Sequence, residues 1–370
     1  MEIALSEMST QLQNLAKESI LGLQPYQPGL NAKDVGIDKE LIKLASNENP
    51  IGVSQKAIEA IKSSLKNIYR YPPDRPFSLR EKIAKRCGLN PQNIILGNGS
   101  DEIIELIIKA FLNPGEEVIL SEPDFLIYKL AAKAAGAKIV CVSVKDFRTD
   151  LKRIKLAINN KTKLIFISNP NNPLGSYLKQ GEIEDFLKDI PENVVIILDQ
   201  TYIEFVQADD YPRMLEFLDK QNLILLRTFS KFYGLAGLRI GYGISNPQFI
   251  DYLNRVRLPF NVNYLAQQAA AAVLDDETFL NQTKEVVSEG KEYICNSLDK
   301  LNFFYINSAT NFVTIDVRQD GREFCRRMLA YGIIVRNLKP YKLNNFVRLT
   351  IGKKEENEKF IKALLEIKDR

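Results

Sequence analysis

The stretch Thr228-Phe229-Ser230-Lys231-Phe232-Tyr233-Gly234-Leu235-Ala236-Gly237-Leu238-Arg239 holds the side chains with the clearest chemical content. An ammonium flanked by Phe229, Phe232 and Tyr233 loses hydration, which favours its neutral, nucleophilic form. A neutral amine condenses with a carbonyl. Arg239 offers a fixed fork for a phosphate, and Ser230 offers a hydroxyl beside the amine. The combination suits a lysine that holds a phosphorylated aldehyde, which in proteins means pyridoxal phosphate. The same residues also suit a core-edge lysine whose stem lies along aromatic rings. This stretch alone favours neither.

Lys231 must be placed by the element before it. Residues 223–228 form an apolar, partly β-branched run that reads as a buried strand, so the lysine sits at a strand end. From 117 to 205 the sequence alternates in the same way. Strand-like runs at 118–120, 138–144, 164–168 and 194–198 are separated by helical periods at 125–135, 151–159 and 182–190. This pattern predicts an α/β fold with a mostly parallel sheet, whose ligand site lies beyond the carboxyl ends of the strands. Two further strand ends carry polar residues. The run 164–168 is followed by Asn169-Pro170-Asn171-Asn172, and the run 194–198 by Asp199-Gln200-Thr201-Tyr202. A carboxylate ending an apolar strand is costly unless it faces water or a cation, and a protonated pyridine nitrogen is such a cation.

Upstream, a short strand at 93–96 runs through Gly97-Asn98-Gly99-Ser100 into a helical period at 101–112. Glycines between strand and helix leave backbone N–H groups free to cradle a phosphate at the positive helix end, although plain strand-turn-helix units have the same form. Asp101 and Glu102 would put negative charge there, so both must turn away or pair. Residues 1–40 read as a helical arm that ends in a loop displaying Tyr26. Residues 41–263 read as a large domain, and 264–370, with strands at 302–306, 312–317, 332–336 and 346–351, as a smaller α/β domain. Arg336 and Arg348 lie on two of those strands and could clamp an anionic substrate or serve as surface-paired arginines.

Composition narrows the function. The 370 residues contain no histidine, which removes Ser-His-Asp hydrolases, Cys-His proteases and His-ligated zinc enzymes. Proton transfer falls to Lys, Tyr, Asp or Glu. A formal net charge of +4 without dense basic blocks argues against nucleic acid as a partner. No apolar run is long enough to cross a bilayer, and the start of the chain lacks the pattern of a signal peptide. The four cysteines have neither metal-ligand nor disulfide-framework spacing. These features predict a cytoplasmic location.

With Asn172, Asp199, Tyr202, Ser230, Lys231 and Arg239 in this order, the chain resembles the fold-type-I, class I/II pyridoxal-phosphate aminotransferases over nearly its whole length. More narrowly it resembles the histidinol-phosphate aminotransferase family. That likeness rests on Pro25-Tyr26 with Pro28-Gly29, the segment 44–50, Arg70-Tyr71-Pro72, the segment 97–102, Asn171-Asn172-Pro173, Tyr202-Ile203-Glu204-Phe205, Asn261-Val262-Asn263, Asn311-Phe312 and the segment 332–336. The resemblance implies a large domain built on a mostly parallel seven-stranded sheet and a smaller C-terminal α/β domain. It implies that Lys231 carries pyridoxal phosphate and moves the proton between substrate and cofactor, that Asp199 pairs with the ring nitrogen, and that Asn172 and Tyr202 bond the ring oxygen. The cofactor phosphate would be held by Gly99, Ser100, Asp101, Ser230 and Arg239, and by Tyr71 of a second subunit, hence a homodimer. Phe125 would stack on the ring, with Tyr128 as second choice. Tyr26, Asn47, Arg336 and Arg348 would contact the substrates, histidinol phosphate and glutamate or 2-oxoglutarate. The sequence departs from the family at Leu174, where threonine is usual, at Gln200-Thr201, where Glu-Ala is common, and at the additional Pro73.

Overall fold

The computed structural model describes residues 15–25, 41–219 and 222–368. Of the expected N-terminal arm it describes a single helical turn, Glu18–Leu21, tethered by Ser19 Oγ donating to the carbonyl of Ala134 at 3.0 Å. Tyr26 lies outside the described residues.

The larger sheet has seven strands: β2 (Ile94–Gly97), β3 (Glu117–Glu122), β4 (Lys138–Ser143), β5 (Thr162–Ser168), β6 (Val195–Asp199), β7 (Leu223–Thr228) and β8 (Gly241–Ile244). Their spatial order is β2-β8-β7-β6-β5-β3-β4. β8 is antiparallel to both of its neighbours, while the pairs from β7 through to β4 are parallel. The continuous apolar runs are explained by burial on both faces. Ile165, Ile167, Ile196, Leu198, Leu223 and Leu225 enter one core, and Leu164, Phe166, Val195, Ile197, Ile224 and Leu226 enter a second on the opposite face. Parallel pairing then puts the carboxyl ends of β3, β5, β6 and β7 on one rim, where Ser168 is in register with Asp199.

The smaller sheet has the order β1 (Ile42–Leu44), β11 (Ile333–Asn337), β12 (Phe346–Thr350), β10 (Phe312–Asp316) and β9 (Tyr305–Ile306). Helices Glu277–Lys300, Gly321–Ala330 and Lys354–Lys368 contribute Ile294, Leu298, Phe324, Met328 and Phe360 to its core.

Two segments sit differently from the division at 41 and 263. β1, read as the start of the large domain, pairs in parallel with β11 and completes the smaller sheet. Helix Tyr264–Val273 packs on helices Gln55–Ser64 and Phe77–Cys87, with Ala266, Ala269, Ala270 and Val273 in the core of the large body. A row of alanines permits that close approach. The chain thus crosses between the two bodies once before and once after the strands of the large sheet in sequence. Among the described residues no helix is long and apolar enough to cross a membrane.

Candidate active site

The rim of the large sheet and the facing edge of the small one enclose a cavity of about 230 Å³. Lys231, Asp199, Tyr202, Asn172, Ser100, Asp101, Phe125, Ser230, Arg239, Asn47, Arg336 and Arg348 all line it. Gly99 adjoins it as the residue before the helix Ser100–Phe111.

Lys231 Nζ donates to the carbonyl oxygen of Ser46 at 2.9 Å. Loss of water around the amine, with the charge of Arg348 as a second cause, brings it down to about 8. A useful fraction is therefore neutral near physiological pH, as the aromatic flanks suggested. Asp199 is buried, and its three donors among the described residues are all neutral. Tyr128 OH donates to Oδ2 at 2.6 Å, while Thr201 N and Oγ1 donate to Oδ1 at 2.9 and 2.6 Å. Burial pushes the Asp199 carboxyl up, and these donors act against that shift.

Tyr128 was a candidate to stack on a ligand ring. It too lines the cavity, but its ring is fully buried and stacks on Phe166 at 4.8 Å, and its hydroxyl is committed to Asp199. Phe125, which meets Tyr128 edge-on at 5.4 Å, is left facing the cavity.

The glycine turn forms the other end. Gly99 has a φ of +81°, and a Cβ there would lie 2.6 Å from Arg239 Nη2. A Cβ on Gly241 of β8 would lie 2.6 Å from the backbone nitrogen of Ser100, so glycine at 241 lets β8 reach the helix start. The two acids at that start are both accounted for. Asp101 pairs with Arg239 at 3.1 Å. Glu102 turns back to accept from Asn98 N at 2.5 Å and Asn261 Nδ2 at 2.7 Å. Helix N–H groups, Ser100, Ser230 and a guanidinium thus converge where a dianion would sit.

Opposite them, Arg336 and Arg348 are directly paired across the antiparallel β11–β12 ladder, and each is buried. Like charges directly opposite one another repel, so the pair favours an anion in the cavity between the two bodies. Arg348 donates from Nη1 to Asn172 Oδ1 at 2.5 Å and from Nη2 to the carbonyl of Ala45 at 3.0 Å, and lies over the ring of Phe312. Asn172 is thereby oriented by an arginine.

Asn47, expected at the substrate, lines the cavity, and its hydrogen bonds run into the wall. Its Nδ2 donates to Tyr202 OH at 2.8 Å and its Oδ1 accepts from Thr350 Oγ1 at 3.2 Å. It acts on the cavity by aiming Tyr202, whose hydroxyl burial pushes up to about 12. Tyr71 is outside the cavity. It is 81% exposed and stacks on Phe260 at 4.7 Å. Sequence reading missed Thr201 as a partner of Asp199, although an Asp followed two residues later by a hydroxyl is a recognisable turn signal.

These groups fit pyridoxal phosphate. A buried carboxylate with neutral donors suits a ring N–H⁺, a depressed amine suits the aldehyde, and the Gly99 cradle with Arg239 suits the phosphate.

Comparison with known proteins agrees. The family model for aminotransferase class I and II matches residues 39–364. The histidinol-phosphate aminotransferase of Moorella thermoacetica is 42% identical over 356 residues, covering 95% of this chain and 92% of that protein. Histidinol-phosphate aminotransferase 2 of Haemophilus influenzae is 43% identical over 364 residues, covering 96% and 98%. The crystal structure of histidinol-phosphate aminotransferase from Sinorhizobium meliloti in complex with pyridoxal-5′-phosphate superposes with a TM-score of 0.88 at 27% identity, covering 95% of this chain and 96% of that one. Both the seven-stranded, mostly parallel sheet and the constellation on its rim are those of an enzyme, and the chain belongs to the class I and II aminotransferases.

Proposed function

We propose that the protein is a histidinol-phosphate aminotransferase that uses pyridoxal phosphate to exchange an amino group between L-histidinol phosphate and 2-oxoglutarate, giving imidazole acetol phosphate and L-glutamate. The observation that carries this reading is the buried Arg336–Arg348 pair in the same cavity as Lys231 and Asp199. Histidinol phosphate and glutamate both bring a dianionic charge to a common site, and two forked cations accept a phosphate or carboxylates alike. The names of the relatives above support the same choice of substrate.

Bound pyridoxal phosphate supplies an aldehyde carbon for the amine and an electron-poor ring that takes up the charge left on the substrate carbon. The chain's own residues do the rest. Lys231, neutral in part at pH 7 to 8, offers Nζ first as the attachment point and then as the base that lifts and returns the substrate proton. Asp199, fixed by Tyr128 and Thr201, would accept from the ring N–H and keep that proton on. Tyr202 and Asn172, aimed by Asn47 and Arg348, would hydrogen-bond the ring oxygen. Phe125, which lines the cavity, would cover the ring and exclude water, and Ser100, Ser230, Arg239 and the amides after Gly99 would hold the phosphate.

The working unit in this reading is a homodimer. Segments 65–77 and 257–260 are tied by the Asp74–Arg257 ion pair and expose Leu65, Ile68, Tyr69, Tyr71 and Leu258, a surface that a second copy would cover. Tyr71 would reach the second copy's cofactor phosphate. A cytoplasmic location completes the proposal.

Turnover of L-histidinol phosphate, phenylalanine and threonine phosphate with the purified enzyme tests the substrate. The highest kcat/KM is expected for histidinol phosphate. A preference for phenylalanine would favour an aromatic-amino-acid aminotransferase, and loss of carbon dioxide from threonine phosphate would favour a decarboxylase. A colourless protein that ignores added pyridoxal phosphate would point to a non-catalytic binding protein.

A further inference from the structure

One carboxyl behind the cavity has no part in the steps above. Asp124 follows β3, is buried and does not itself line the cavity. Its Oδ1 accepts from Phe125 N at 2.8 Å, Ser168 Oγ at 2.5 Å and Asn171 Nδ2 at 3.4 Å. Ser168 Oγ accepts in turn from Asn172 N at 3.2 Å and Asn171 Nδ2 at 3.1 Å. One carboxylate oxygen therefore joins the peptide that carries Phe125 to the loop that carries Asn172, across the adjacent strands β3 and β5. The other oxygen, Oδ2, is buried with no hydrogen-bond partner among the described residues.

A turn that needs a single acceptor is satisfied by Ser, Thr or Asn, whereas a carboxylate with one dry oxygen is costly to bury. Its surroundings make the charge more costly still. From β6, Asp199 repels it, while the Tyr128 hydroxyl of the helix Leu126–Ala134 is committed to Asp199 and stays protonated. On its own segment Glu122 is already paired with Lys129 and Lys342. The other titratable groups lining a small side cavity beside Asp124 are Cys141 and Tyr341. The loop after β5 offers neutral groups only. Burial accordingly holds the Asp124 carboxyl up to about 7.

We propose that Asp124 is a positioning residue whose negative charge, through the Ser168–Asn171–Asn172 network and through Ser168, which is in register with Asp199 on the next strand, is coupled to seating of the cationic cofactor ring. This rests on the pyridoxal-phosphate reading above. A cation beside Asp199 relieves the repulsion between the two carboxyls, so loading favours ionised Asp124, and linkage requires ionised Asp124 to favour loading.

The test is the dissociation constant of pyridoxal phosphate for full-length protein stripped of cofactor, followed by absorbance from pH 5.5 to 8.5, for wild type and Asp124→Asn. Asparagine keeps the Oδ1 acceptor and the shape but never carries charge. The ratio of the two constants should be close to one at pH 5.5, where Asp124 is protonated, and rise about 5- to 100-fold by pH 8.5. A ratio that does not change with pH, whether equal to one or uniformly raised, overturns the proposal. Asp124→Ala, which also removes the acceptor, should bind more weakly than Asp124→Asn at pH 5.5; equal binding there would overturn the tethering role. If wild type fails to bind at any pH, it is the cofactor reading itself that fails.

Discussion

The hydrogen bond from Tyr128 to Asp199 can be removed with little else disturbed. Tyr128→Phe keeps the ring that stacks on Phe166 at 4.8 Å and meets Phe125 at 5.4 Å, and deletes only the hydroxyl that donates to Oδ2 at 2.6 Å. Asp199 retains two of its three donors, both from Thr201. A hydrogen bond to a charged group contributes about 1.5–3 kcal/mol. At one decade per 1.36 kcal/mol, that corresponds to a loss of roughly 10- to 150-fold in kcat/KM, because ionised Asp199 is needed to keep the ring nitrogen protonated. The direction in pH is also fixed. The Tyr128 donor holds the carboxyl down against the upward push of burial. Its removal raises the pKa further, so the acid limb of the kcat/KM profile moves to higher pH. Steady-state kinetics across pH 5 to 9, with circular dichroism to verify the fold, provide the assay. Wild-type kcat/KM with an unmoved acid limb in Tyr128→Phe would refute the role given to this pair.

The same geometry fixes two further outcomes. Unfolded Lys231 keeps its proton up to about 10.5, while the folded amine gives it up near 8. Between those values the unfolded chain binds more protons, so wild-type stability rises with pH there. The gain in melting temperature of cofactor-free Lys231→Met over wild type should therefore be largest below pH 8 and shrink toward pH 10.5; a gap that widens with pH would contradict the depressed amine. If Tyr71 serves the neighbouring site, mixing unfolded Tyr71→Ala and Lys231→Ala chains and refolding them together should restore about a quarter of wild-type activity, since half the dimers are mixed and each has one intact site. No recovery above the separate variants would place Tyr71 outside the chemistry.

The parts of the site visible in the sequence are those set by local pattern. The apolar runs that become β5, β6 and β7 are long and uninterrupted because both faces are buried, and so the polar residues that end them, including Asp199, stand out. Strand register and packing between distant segments hide the rest. β8 carries Gly241 and Gly243, and glycine erases the strand signal where the backbone must approach Ser100. β1 is legible as a strand, but nothing in residues 42–44 says which sheet it joins. Arg336 and Arg348 are visible singly, whereas their position opposite one another depends on the β11–β12 register. Tyr128 is hidden for a related reason. The turn of the helix Leu126–Ala134 decides whether its hydroxyl meets a ligand or Asp199, and residue spacing fits both.

The proposed chemistry stands on one amine. Reduction of the yellow, cofactor-loaded protein with borohydride, followed by proteolysis and peptide mass spectrometry, reads directly where the cofactor was attached. It should leave a phosphopyridoxyl group on the peptide containing Lys231. Modification of a different lysine, or none at all in protein that had turned over substrate, would contradict it.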